Sequence, residues 1–106
     1  MIMKVVDTLY TYGFEEKEAK LLAKKLKYND KKLKLYIVCL PIFNHGIMEI
    51  YDYRQFAQPF YKKIKKDITV LGIASDKAGA EEIVLSITQD LYDAGQDFDV
   101  KKFFGI

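Results

Sequence analysis

The chain has 106 residues, half of them hydrophobic, and a formal net charge of +2. These values predict a single domain over residues 1–106, with enough apolar side chains to form a core without a metal or a disulfide. They exclude a disulfide scaffold, because Cys39 is the single cysteine, and no apolar run approaches the roughly 20 residues that a membrane-spanning helix needs. The lone cysteine and the lack of a secretory signal pattern predict a soluble, cytoplasmic protein.

Charge is distributed unevenly along the chain. Residues 1–66 carry fourteen basic and seven acidic side chains, whereas residues 67–106 carry three basic and eight acidic ones. Such a split can indicate a partner of one charge sign or head-to-tail self-association, but two differently charged solvated surfaces are the favoured interpretation. Sixteen of the seventeen basic residues are lysine. Base and phosphate recognition relies on arginine, so nucleic-acid binding is less expected.

Two helices are predicted at the start of the chain. Apolar residues recur at helical spacing over residues 2–11, and Gly13 is a typical left-handed residue after a helix end. A second helix is predicted over residues 15–27, because glutamates open it and lysines close it, which complements the helix dipole. The apolar positions of the first helix are Ile2, Val6, Leu9 and Tyr10.

The junction of these helices has one resemblance to a known family. The run Leu9-Tyr10-Thr11-Tyr12-Gly13-Phe14, followed by Ala19 and Ala23, resembles the helix–Gly-Phe–helix opening of ubiquitin-associated (UBA) domains. The resemblance covers about a fifth of the chain, and strand-forming residues follow where that fold has its third helix. It implies a helical hairpin, and no function is transferred from it.

Three strands are predicted in the middle of the chain. The first covers residues 33–40, whose continuous apolar run predicts burial on both faces and a central place in the sheet. The second covers residues 47–53 and contains acidic residues, which is typical of an edge strand. The third covers residues 68–74, a short apolar run between polar ends.

The remaining elements are helical. Pro59 forbids a continuous helix over residues 54–66, so a short helix beginning near Pro59 is expected. A long helix over residues 77–94 is capped by Asp76 or Ser75, and the apolar C-terminal tail predicts a final helical turn. The predicted fold is α+β with the order α-α-β-β-α-β-α. Its three-stranded, mostly antiparallel sheet has the order 2-1-3 and is covered by helices.

Two candidate sites are chemical. The turn after the third strand, with Ser75, Asp76, Lys77 and Gly79, offers backbone N–H groups and a helix dipole to an anion. The alternative is an ordinary capped turn, since no phosphate-binding glycine motif is present. Cys39 and His45 are a possible nucleophile and base, against the simpler interpretation of a buried thiol and a loop histidine. No metal set and no cofactor are predicted.

Two further candidates are surfaces. The lysines between Lys17 and Lys34, extended by those between Lys62 and Lys66, favour a solvated helix face, and the alternative is a surface for single-stranded nucleic acid. The chain also has eight tyrosines and seven phenylalanines. Five of these rings predict a homodimer or protein interface, against packing beneath the N-terminal helices. The five are Tyr51, Tyr53, Phe56, Phe60 and Tyr61.

The expected function is therefore a non-enzymatic cytoplasmic interaction or accessory module that self-associates. The alternative is binding of a nucleic acid or a phosphate ligand through the lysine-rich face or the 75–79 turn. An enzyme ranks third, because the sequence contains no convincing catalytic set.

Overall fold

The computed structural model describes residues 2–43, 46–95 and 99–106. The protein is α+β, with a four-stranded mixed sheet between two helical layers. In chain order the elements are β1 (Met3–Tyr12), α1 (Glu16–Lys27), β2 (Tyr36–Cys39), β3 (Glu49–Asp52), a 3₁₀ helix (Tyr53–Ala57), α2 (Pro59–Lys62), β4 (Ile68–Ala74), α3 (Lys77–Asp93) and α4 (Val100–Phe104).

The sheet has the order β1-β4-β2-β3. β1 pairs with β4 in parallel, and β2 is antiparallel to both β3 and β4. The topology predicted for this α+β fold is wrong in two respects: the sheet has four strands rather than three, and the chain begins with a strand rather than a helix. The pairing among β2, β3 and β4 is the one expected for the three predicted strands, with β2 between the other two.

The N-terminal segment is a strand because β4 gives it a partner. Val5 lies beside Val70, and Tyr10 lies beside Gly72. An advance of five residues along β1 therefore corresponds to an advance of only two residues along β4. The intervening residues form a large bulge, and a bulge disrupts the alternation of side chains between the two faces. The apolar spacing of β1 therefore imitates a helix, and the UBA resemblance, which requires a helix before Gly13, is wrong.

The sheet is covered on both faces. Ile37 and Cys39 of β2 pack with α1 and the 3₁₀ helix, whereas Val38 packs with α3 and α4 on the opposite face. The central position predicted for this strand is confirmed. β4 is also buried on both faces, and six of its seven residues are buried.

The predicted helices over residues 15–27 and 77–94 are confirmed, as are the short helix beginning at Pro59 and the final helical turn. Gly13 has the expected positive φ of 81°, but it follows a strand rather than a helix. Over the described ranges, no helix is long and apolar enough to cross a membrane.

Candidate interaction surface

The five aromatic residues predicted as an interface form one cluster at the β3 side of the sheet. Phe56 packs against Tyr51, Tyr61 and Tyr53, with ring centroids 5.3, 5.5 and 6.2 Å apart. Phe60 joins through Tyr61 at 5.2 Å. A sixth ring, Phe43, was not predicted, and its centroid is 5.8 Å from that of Phe60. No sequence pattern indicated Phe43, because it lies in a loop without hydrophobic periodicity.

The cluster runs from the core to the solvent. Tyr53 and Phe56 are 6% and 7% exposed and belong to the core. In contrast, Phe43 and Phe60 are 49% and 66% exposed, although they contact each other. Packing in the core therefore accounts for Tyr53 and Phe56, and an interface at the exposed rings stays a prediction. We call Phe43, Phe60 and the neighbouring exposed residues Lys63 and Lys66 the aromatic surface.

A buried carboxylate holds the loop that carries Phe43. Glu49 is 9% exposed, and its Oε1 accepts hydrogen bonds from the Ile42 backbone N–H at 2.6 Å and the Tyr51 hydroxyl at 2.9 Å. Burial, together with the hydrogen bond to Glu49, raises the pKa of Tyr51. The Lys66 ammonium donates to the Ile42 carbonyl at 3.4 Å. These bonds fix the residue that precedes Phe43, and so place its ring beside α2.

The 3₁₀ helix is fixed at its start by a capping box. The side chain of Asp52 caps this helix, and the Gln55 side chain accepts the Asp52 N–H at 2.9 Å. Arg54 Nη2 lies 2.7 Å from Asp52 Oδ2, and its hydrogen bonds hold the pKa of that carboxyl below its usual range. Such a cap satisfies the free N–H groups of a helix start. It sets the direction in which Phe56 enters the core.

The uneven charge of the sequence becomes a difference between the two faces of the protein. α1 carries five lysines and two glutamates, and it lies on the same side of the sheet as the aromatic cluster. α3 carries one lysine and four acidic residues, and it lies on the opposite side. α3 also carries two exposed hydrophobic residues, Leu85 and Tyr92. We call the exposed α3 residues Glu81, Glu82, Leu85, Tyr92 and Asp93 the acidic surface.

Neither free edge of the sheet is built for strand pairing. β1 is interrupted by its bulge, and β3 has only four residues, one of which is the inward-pointing Glu49. Bulges, short strands and inward-pointing charges are the devices that block edge-to-edge association. Contact through exposed side chains is therefore favoured over extension of the sheet.

The polar groups of the 75–79 turn have roles within the chain. Asp76 Oδ1 accepts the Gly79 N–H at 2.7 Å, so the carboxylate caps α3 and places a negative charge where an anion would bind. Ser75 donates its N–H to the Tyr12 carbonyl at 3.1 Å. Gly79 lies beneath the Tyr12 ring, whose Cγ would be 3.0 Å from an added Cβ. Lys77 is exposed. The geometry favours a capped turn that connects β4 to α3 and is hydrogen-bonded to the end of β1.

Cys39 lies in the core. Its side chain is fully buried, and burial together with the charge of Glu49 raises its pKa to about 12. A thiol with this pKa stays protonated near neutral pH, and the thiolate is the nucleophilic form. The proposed partner His45 lies outside the described residues.

Among residues that are described, no group of three or more histidine, cysteine or acidic side chains could hold a metal ion.

Comparison of the chain with protein-family models, curated proteins and solved structures gave no match.

Proposed function

We propose that this protein is a non-enzymatic interaction module that self-associates head to tail. In this arrangement the aromatic surface of one copy contacts the acidic surface of the next. The observation that carries the proposal is the exposed ring pair Phe43 and Phe60, which lies among lysines on one side of the sheet. Exposed aromatic rings are enriched at protein interfaces.

The chain itself provides a complementary surface for this pair. Leu85 and Tyr92 are 63% and 72% exposed and lie two helical turns apart, so they share one side of α3. Glu81, Glu82 and Asp93 flank them. An apolar centre surrounded by acids matches an apolar centre surrounded by lysines, in both chemistry and sign of charge.

The charges of the aromatic surface favour a head-to-tail contact over a two-fold contact between copies. A two-fold contact brings the same patch of each copy together. At the aromatic surface it would place Lys63 and Lys66 of both copies against one another, which costs energy through like-charge repulsion. A head-to-tail contact places those lysines against Glu81 and Glu82 instead. Such a contact is heterologous and continues beyond a dimer unless it closes into a ring.

Two variants that each remove one half of the contact test this arrangement. Phe60→Asp places a charge in the aromatic surface, and Leu85→Arg places the opposite charge in the acidic surface. We expect the wild-type mass from light scattering to rise with protein concentration and to fall with added salt. Each variant alone is expected to stay monomeric. Their equimolar mixture is expected to form a 1:1 dimer, because each variant retains the half that the other has lost.

Leu21→Asp is the matched control, because it makes the same change in charge at a residue of α1 that is 52% exposed. It should associate like the wild type. A wild-type protein that stays monomeric at every concentration contradicts self-association. Leu85→Arg that still dimerises contradicts the head-to-tail contact and favours a two-fold one. A monomer that retards single-stranded DNA in a salt-dependent manner assigns the lysine-rich face to nucleic acid instead.

We also propose a cytoplasmic location. The support is Cys39, a buried cysteine that forms no disulfide, which is typical of proteins in reducing compartments. Fractionation of cells that produce the protein, followed by detection of the chain in the cytosolic fraction, tests this location. Recovery in a secreted or membrane fraction would contradict it.

A further inference from the structure

A cleft separates the loop after α1 from the 3₁₀ helix and α2, on the same side of the sheet as the aromatic cluster. Its volume is about 200 Å³. Buried apolar side chains contribute to its wall, and the exposed residues around them include three cations. The lining residues are Met3, Asn29, Lys31, Tyr53, Arg54, Phe56, Ala57 and Lys62.

The apolar part of the lining consists of core side chains and includes two aromatic rings, Tyr53 and Phe56, against which a flat group can stack. Met3, Tyr53 and Phe56 are each less than 8% exposed and belong to one core cluster. Phe56 is held against three other rings of the aromatic cluster. Ligand sites in proteins combine an apolar lining with a few placed polar groups. The volume here is smaller than that of a drug-sized site, which begins near 300 Å³.

The polar part of the lining is positive. Lys31, Arg54 and Lys62 line the cleft, and none of the described residues that line it is a carboxylate. The nearest acids in the sequence are held by donors of the chain itself. Asp52 binds Arg54 through Nε and Nη2, and Asp30 accepts the Lys32 N–H at 3.0 Å. The bonds to Asp52 occupy the Nε and Nη2 side of the Arg54 guanidinium and fix its orientation, so an anion in the cleft would meet the Nη1 side.

We propose that this cleft binds a small organic anion, with a flat apolar body against Met3, Tyr53 and Phe56 and a carboxylate or phosphate head beside Lys31, Arg54 and Lys62. The inference is independent of self-association, since neither Phe43 nor Phe60 lines the cleft. The head group remains the one open choice, because a carboxylate and a phosphate share this chemistry.

Titration of the ¹⁵N-labelled chain with small probes tests the proposal. The probes are benzoate, phenyl phosphate, inorganic phosphate and benzyl alcohol. We expect saturable shifts at Lys31, Arg54 and Phe56 with benzoate or phenyl phosphate, and the stronger of the two identifies the head group. Inorganic phosphate lacks the ring and benzyl alcohol lacks the charge, so each should bind at least about tenfold more weakly.

A pair of charge-removing variants provides the control. Lys31→Gln with Lys62→Gln should weaken binding of the better probe by on the order of tenfold. Lys101→Gln with Lys102→Gln makes the same change in net charge at exposed residues of α4, on the opposite side of the sheet, and should leave binding unchanged. Repeating the titration with Phe60→Asp separates this site from self-association, because the cleft should still bind in a monomer.

Four results would overturn the proposal: no saturable binding of either anionic probe, equal binding of benzyl alcohol, equal binding of inorganic phosphate, or shifts centred on Phe43 and Phe60. Equal losses in the two double variants would also overturn it, because binding would then follow net charge rather than the cleft.

Discussion

Gly13 lies directly against Ser75, and this contact joins the end of β1 to the end of β4. A Cβ added at Gly13 would lie 2.9 Å from the Ser75 Cβ, and the Gly13 backbone has a φ of 81°. Two independent constraints, space and backbone conformation, therefore require glycine at this position.

Gly13→Ala should lower the free energy of unfolding by more than about 1 kcal/mol, because alanine adds backbone strain and displaces Ser75. Gly95→Ala is the matched control. Gly95 also has a positive φ, of 64°, but no atom of the described residues lies within 4 Å of an added Cβ. Urea denaturation of both variants should show the larger loss for Gly13→Ala. Equal losses would mean that the contact with Ser75 adds no cost.

Glu49→Leu should destabilise the protein by about 2–4 kcal/mol, because it leaves the buried Ile42 N–H and the Tyr51 hydroxyl without the acceptor they now share. Glu49→Gln should cost less, since its amide oxygen can accept in the same position. Thermal and urea unfolding measure the difference. If leucine were tolerated as well as glutamine, the carboxylate would not be what holds the Phe43 loop.

Phe56→Ala and Phe60→Ala should separate the core of the aromatic cluster from its surface. Phe56 is buried, and its truncation should cost about 3–5 kcal/mol. Phe60 is 66% exposed, and its truncation should change stability by no more than about 0.5 kcal/mol while weakening self-association. Urea denaturation and light scattering on the same samples check both statements. A large loss of stability for Phe60→Ala would show that this ring is structural.

Stability should fall in alkaline solution because of Cys39. Its pKa is raised from 9.0 to about 12, so the folded protein keeps a proton that the unfolded chain loses. The contribution of the protonated Cys39 thiol to the free energy of unfolding is complete below pH 9 and is lost as the pH rises toward 12. Between pH 9 and 10, where tyrosine titration contributes less, the wild type should lose about 1 kcal/mol more than Cys39→Ala.

Urea denaturation at pH 8, 9 and 10 measures this difference in slope. Cys39→Ala should be less stable overall, because it leaves a cavity, but it should depend less on pH. A thiol-specific reagent should react with Cys39 only after unfolding. Parallel pH profiles for the two proteins, or rapid labelling of the folded wild type, would contradict the buried, protonated thiol.

Elements with a local signal were predictable. The helix over Glu16–Lys27 is predicted by the acids in its first turn and the lysines in its last turn. β4 is predicted by an unbroken apolar run. The cap of α3 was predictable for the same reason, because Asp76 is three residues before the Gly79 N–H that it accepts. Five members of the aromatic cluster were also named correctly as neighbours, since they lie within eleven residues of one another along the chain.

The position of Phe43 was not predictable, because its ring is placed by the buried Glu49 and not by any periodic pattern. The cleft was also hidden in the sequence. It is formed by Met3, Lys31 and Arg54, which belong to three separate segments that only the folded chain brings together.

The sequence by itself determined the amphipathic helices, the buried strands β2 and β4, and the uneven distribution of charge, because each depends on residues close together in the chain. Only the tertiary structure decided that residues 3–12 form a strand, since their hydrogen-bonding partner is β4, with Met3 beside Ile68. The bulge in this strand also disrupts the alternation of apolar and polar residues by which a strand is predicted from sequence. The same packing placed α1 and α3 on opposite faces of the sheet, and so turned a charge split along the chain into two surfaces of opposite sign.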